Sequence, residues 1–172
     1  DCNLSVVTNE VSPGRYPYAI YRWRKLGLKE DFEFQVIWTE SSLTLHMLHF
    51  FESAKPDLSS FSITDDVEKE LEAIHFQRWS HARRAHVKEI QEVSSSRLAS
   101  LKGSHIARLD LLKEQRDSAG DVRIQRMRDS QIETANLDYH RRKSELNEAS
   151  QRGDIIAEAV AFGILTVENK ND

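Results

Sequence analysis

Cysteine is nearly absent. Cys2 stands alone in 172 residues, so the chain can assemble neither a disulfide framework nor a cysteine-based zinc site, and a reducing, cytoplasmic setting is the expectation. No run of roughly 18 apolar residues occurs, which excludes a membrane-spanning helix, and no charged-then-apolar leader opens the sequence. Excess positive charge is missing too. Lys and Arg total 24 against 28 Asp and Glu, a formal net charge of -4, so no bulk positive field draws the molecule onto nucleic acid and any such contact has to be local. The first residue is Asp1 rather than methionine, which sets the expectation of a segment belonging to a longer protein.

Catalytic signatures are equally scarce. There is no G-x-x-x-x-G-K-[ST] phosphate loop, no H-E-x-x-H and no G-x-S-x-G elbow. Seven histidines are present, but His81 and His86 are five apart where a helix-borne metal pair needs a spacing of four. Neighbouring carboxylates such as Asp65 and Asp66 fit the start of a helix better than an acid/base pair. The chain is therefore expected to hold no catalytic, cofactor or metal site.

What is present divides by texture. Proline occurs at 13, 17 and 56 and nowhere else, and nine aromatic residues fall between Tyr16 and Phe51. Tyr18–Trp23 is a β-branched and aromatic run after Pro13-Gly14, read as a strand with a helical end, and Gly27 supplies the following turn. Phe32, Phe34, Val36 and Trp38 alternate with their neighbours, the period of two that marks a half-buried strand. Ser41-Ser42 precedes Leu43, Met47, Phe50 and Phe51 at helical spacing, which predicts a short serine-capped helix.

From Thr64 to Asp154 there is no proline, and glycine appears only at 103, 120 and 153. Apolar residues recur in steps of three and four through Val67, Leu71, Ile74, Val87, Ile90, Leu98, Leu101, Ile106, Leu109 and Leu112. After the interruption at 117–121, a second stripe runs Ile124, Met127, Ile132, Ala135, Tyr139, Leu146 and Ala149. Two such stripes joined by a short turn predict an antiparallel helical hairpin, with Leu112 opposite Met127, Leu101 opposite Tyr139 and Ile90 opposite Ala149. The first helix is the longer, so its early part, carrying Phe76 and Trp79, is expected to pack on the aromatic sheet. Ser94-Ser95-Ser96 is the expected bend, since serine competes for its own backbone hydrogen bonds. Ile155–Val167 is apolar on both faces near its end, the pattern of a strand flanked on both sides.

The fold class that follows is α+β: a small, mainly antiparallel sheet with a long antiparallel two-helix coiled-coil hairpin inserted before the last strand. Residues 1–15 form an extended lead-in, 16–63 and 155–167 the α/β platform, 64–154 the hairpin, and 168–172 a frayed tail. Within residues 97–128 eight basic side chains face four acidic ones, a local net of +4 that leaves -8 for the remainder. Lys102, Arg108, Lys113, Arg116, Arg123, Arg126 and Arg128 are the candidate contacts to phosphate or to an acidic partner. The alternative is that they solubilise a coiled coil through i,i+4 pairs. Arg141-Arg142-Lys143 is a second, smaller basic cluster.

The stretch from Arg97 through Ile124-Gln-Arg-Met-Arg to Leu146, closing with Asp154-Ile155 and Val160-Ala-Phe-Gly-Ile-Leu165, resembles the C-terminal region of bacterial Swi/Snf-type, RapA-like helicase-like ATPases. The strands at 18–23 and 32–38 are similar to the segment before the helices there, so the resemblance spans about residues 14 to 167. It implies a non-catalytic accessory domain of a DNA-dependent ATPase, with ATP and Mg bound by upstream parts of the parent and none here. It further implies DNA or a protein as partner, RNA polymerase or a defence-system subunit among them. The competing expectation is a coiled-coil interaction or oligomerisation module with no nucleic-acid role.

Overall fold

The computed structural model describes residues 2–40, 47–59 and 61–169. They form two compact units, one of the described residues within 2–25, 30–84 and 155–169, the other of residues 26–29 and 85–154. Their elements run β1 (Leu4–Val7), β2 (Gly14–Leu26), β3 (Asp31–Trp38), α1 (Met47–Ser53), β4 (Lys55–Pro56), α2 (Asp65–Asp117), α3 (Val122–Gln151) and β5 (Asp154–Glu168). The α+β class with a helical pair inserted before the last strand is what the sequence predicts. The Ser41-Ser42 cap and Leu43 lie outside the described residues.

The first unit is built on a five-stranded sheet ordered β3-β2-β5-β1-β4. β2 and β3 pair antiparallel from Tyr18↔Trp38 to Lys25↔Asp31, so alternate side chains go to opposite faces. Tyr16, Tyr18 and Trp38 bury on one face with Val6, Phe50, Leu165 and Val167. Ala19, Tyr21, Trp23 and Ile37 bury on the other with Leu71 and Ile155, against the beginning of α2. Each fully buried large apolar side chain contributes about 1.5–3 kcal/mol relative to exposure. β5 has neighbours on both sides, β2 and β1, in keeping with its apolar run.

Three expectations are corrected in this unit. The lead-in is not merely extended: Leu4–Val7 forms β1, parallel to β5 and antiparallel to the two-residue strand β4. The sheet is therefore mixed rather than mainly antiparallel. Non-local bonds hold β1 in place. The Asn3 amide donates to the carbonyls of Ser59 and Phe61 at 3.1 and 2.7 Å while its oxygen accepts from Ile164 N–H at 3.1 Å. The Tyr18 hydroxyl donates to the Cys2 carbonyl. Second, β2 has no helical end and spans 13 residues; Pro17 precedes the stretch paired with β3, where its missing N–H costs no bond to that strand. Third, Trp79 does pack on the sheet and donates its indole N–H to the Ile155 carbonyl at 2.9 Å, but Phe76 is 61% exposed. Leu71, Ile74, His75 and Trp79 fill the buried stripe of α2, and Phe76 lies about 100° around the helix from His75.

α2 starts where Thr64 and the acidic run place it. Thr64 O accepts from Glu68 N–H at 3.0 Å, and Asp65, Asp66 and Glu68 occupy the positive end of the helix dipole. The helix runs unbroken for 53 residues, through Ser94-Ser95-Ser96, where a bend is expected from sequence. Ser94 is 1% exposed and its hydroxyl has no hydrogen-bond partner, so packing overrides the serine preference for other backbone conformations.

In the second unit the C-terminal part of α2 pairs with α3. Ile90, Ser94 and Leu112 are buried from α2, Ala135 and Ala149 from α3. Near the middle, His105 stacks on Tyr139, with ring centroids 4.2 Å apart and planes 6° from parallel, and Leu101 lines the same small hollow as Tyr139. Toward the turn, Leu112 is buried while Met127 is 47% exposed.

Candidate nucleic-acid interface

The turn between α2 and α3 is a local product of polar side chains. α2 stops at Asp117. The Ser118 hydroxyl donates to Glu114 O at 2.7 Å, and Gln125 reaches back to Ala119 O at 2.8 Å. Asp121 is the N-cap of α3, its carboxylate accepting the Arg123 N–H at 2.8 Å. Gly120, which the sequence suggests as the helix breaker, does not adopt a left-handed backbone, and a Cβ there would meet open space.

Seven basic residues are the sequence candidates, and they fall into two groups. Lys102, Arg108, Lys113, Arg123 and Arg126 are exposed. Arg116 and Arg128 are half-buried and committed to the hairpin itself. Arg116 bonds Asp117 at 2.9 Å and crosses to Asp129 of α3 at 3.3 Å; these hydrogen bonds, to Asp117 first, hold its guanidinium further above its ordinary pKa. Arg128 donates to Gln131 at 2.7 Å, and its Nε is buried without a partner. Arg108 lies beside Asp138, whose carboxyl is held below the usual carboxylate range by the hydrogen bond from Arg141 and then by the charges of Arg142, Arg141 and Arg108. The second basic cluster is largely engaged in ion pairs within α3. Arg141 meets Asp138 at 2.7 Å and Glu145 at 3.2 Å, and Arg142 meets Asp138 at 3.1 Å.

The electrostatics at the start of α3 run against helix stability. Its first turn contains no acidic residue and does contain Arg123, with Arg126 three residues on along the same face. A cation there faces the positive end of the dipole, a cost of about 0.3–1 kcal/mol. The Asp121 carboxylate already caps this end, so the attraction for an incoming anion comes from the exposed arginines, with the dipole adding to it. Apolar side chains share this region: Leu111, Val122, Ile124 and Met127 are between 43 and 58% exposed.

The sequence signals for two other features are too diffuse to read. In the first unit, His75 is 8% exposed and stacked on Tyr21 at 3.5 Å, its Nε2 accepting the Trp23 indole N–H at 2.9 Å. That bond requires the neutral ring, and burial lowers its pKa to about 4. Tyr21 is itself pushed up to about 12 by burial and by the charges of Glu72 and Glu68. Packing and hydrogen bonding account for this cluster. In the second unit, a cleft between the helices gathers residues from three well-separated stretches of sequence.

Among the described residues no group of three or more His, Cys, Asp or Glu side chains is placed to hold a metal ion, and no helix is long and apolar enough to cross a membrane. No protein-family model matches the chain, and a search of curated proteins finds none similar to it.

Proposed function

We propose that the protein is a non-catalytic accessory module whose α2–α3 hairpin contacts nucleic-acid phosphates through the cations around its turn. One observation carries the reading. Arg123 and Arg126 are exposed at the N-terminal end of α3, where they face the positive end of the helix dipole and the first turn holds no acidic residue beyond the N-cap Asp121. Lys113 and Lys102 extend the same sign of charge along α2. The resemblance to Swi/Snf-type ATPases supports the same role, an accessory domain beside a motor that supplies the ATP and Mg chemistry. The test is duplex binding by the full chain and by the double variant Arg123→Glu, Arg126→Glu. Loss of at least about tenfold in affinity is expected; equal affinity refutes the reading.

A second reading rests on the exposed Leu111, Val122, Ile124 and Met127, which suit a protein partner or a second copy of the chain. Sedimentation separates the two: self-association that rises with concentration and is abolished by Ile124→Asp favours the apolar contact.

A further inference from the structure

We propose that the cleft between α2 and α3, beside the turn at residues 26–29, binds a small phosphate-bearing molecule of mononucleotide size. The cleft is open to solvent on one side and has a volume of about 740 Å³, within the range of small-molecule sites. Three arginines line it, Arg97 from α2, Arg142 from α3 and Arg152 at the C-cap of α3, with Ser100 and Ser104 one turn apart on α2. Leu28, Leu101, Leu146 and Ala149 give it an apolar lining.

Charge selects the ligand. Glu145 is the one carboxylate in the lining, and Arg141 already holds it at 3.2 Å, so the three cations outnumber the lining carboxylate, with Arg142 partly neutralised by Asp138 from outside the lining. Arg142 has Asp138 at 3.1 Å, and Arg152 directs its Nε to Glu148 O at 3.4 Å. A guanidinium has five N–H donors, so each arginine keeps several for a phosphate. The gathered positive charge is relieved by a di- or triphosphate, and the leucine-lined part suits the flat apolar face of a base.

The site is built rather than incidental. The turn that closes it is tied to α2 by the Leu26 carbonyl and His86 Nε2, 2.8 Å apart. Gly27 lies so close to α2 that a Cβ would stand 2.6 Å from Ile90 Cδ1, and a Cβ on Gly153 would stand 3.2 Å from Ile90 Cγ2. Two glycines on one isoleucine fix the turn and the end of α3 against α2. With no phosphate loop in the sequence, the proposal is binding without hydrolysis.

The test is calorimetric titration of the full chain, at low salt and without Mg, with ATP, with inorganic pyrophosphate and with adenosine. ATP is expected to bind most tightly, pyrophosphate more weakly and adenosine least. Arg97→Gln and, separately, Arg152→Gln should each weaken ATP by about tenfold, the two sites being on different helices so that failure of one variant to fold leaves the other. Either no ATP binding, or ATP binding unchanged in both variants, overturns the proposal. So does ATP binding that is lost in the Arg123→Glu, Arg126→Glu variant, which assigns the phosphate to the hairpin turn instead. Because the variants here differ from those that test duplex binding, either proposal can fail alone.

Discussion

His75 shows how a single residue can make the first unit sensitive to pH. Between pH 6.5 and about 4 an unfolded chain takes up a proton on this ring that the folded chain refuses, because burial disfavours the charged ring. Unfolding then consumes protons, so stability falls as pH drops through that window; above it the contribution is complete, and below about 4 nothing more is lost. Urea unfolding at pH 7 and pH 4 is expected to show roughly 3 kcal/mol more loss in the wild type than in His75→Gln, which keeps an acceptor for Trp23 but does not titrate. Equal losses contradict this. Gly163 matters for space rather than charge: a Cβ there would stand 1.8 Å from the Cys2 carbonyl oxygen. Since Cys2 N–H also donates to Phe162 O at 2.8 Å, Gly163→Ala pushes the start of the chain off β5. The expected cost is about 1–3 kcal/mol, read as a lowered urea midpoint; an unchanged midpoint contradicts the close approach.

At the level of elements, α3 presents a trade between stability and charge. Arg123→Glu puts an anion in the first turn and is expected to raise Tm by about 2 °C in a thermal scan while weakening nucleic-acid binding. A drop in Tm would mean that Arg123 serves the fold. The elements also differ in how far the sequence discloses them. β3 and the two helices are legible because each is specified by its own repeat, alternation in Phe32–Trp38 and steps of three and four from Val67 onward. β1 is not, because four residues carry no period and their strand character comes from β5, more than 150 residues away in the chain. β4 is two residues with a proline and exists only as a partner for β1. Ser94 misleads for the same reason: its burial is decided by tertiary packing, not by its propensity.

For the molecule as a whole, net charge conceals the relevant asymmetry. A chain at -4 carries a +4 stretch around its hairpin turn, and counting charges along the sequence finds that stretch. What counting does not find is which cations are spent. Arg116 and Arg128 are tied into the hairpin, while Lys102, Lys113, Arg123 and Arg126 remain exposed. The arginine-lined cleft is illegible for a related reason, since Arg97, Arg142 and Arg152 are brought together only when the helices pair. The central claim is that exposed cations near the turn neutralise phosphates, and salt dependence tests it most directly. Fluorescence anisotropy of a labelled DNA duplex, titrated with the full chain between about 50 and 200 mM NaCl, should give a log–log slope near -3 to -4, about a hundredfold loss of affinity, for some four phosphate contacts. No measurable binding at the low-salt end, or a slope near zero, would contradict the claim.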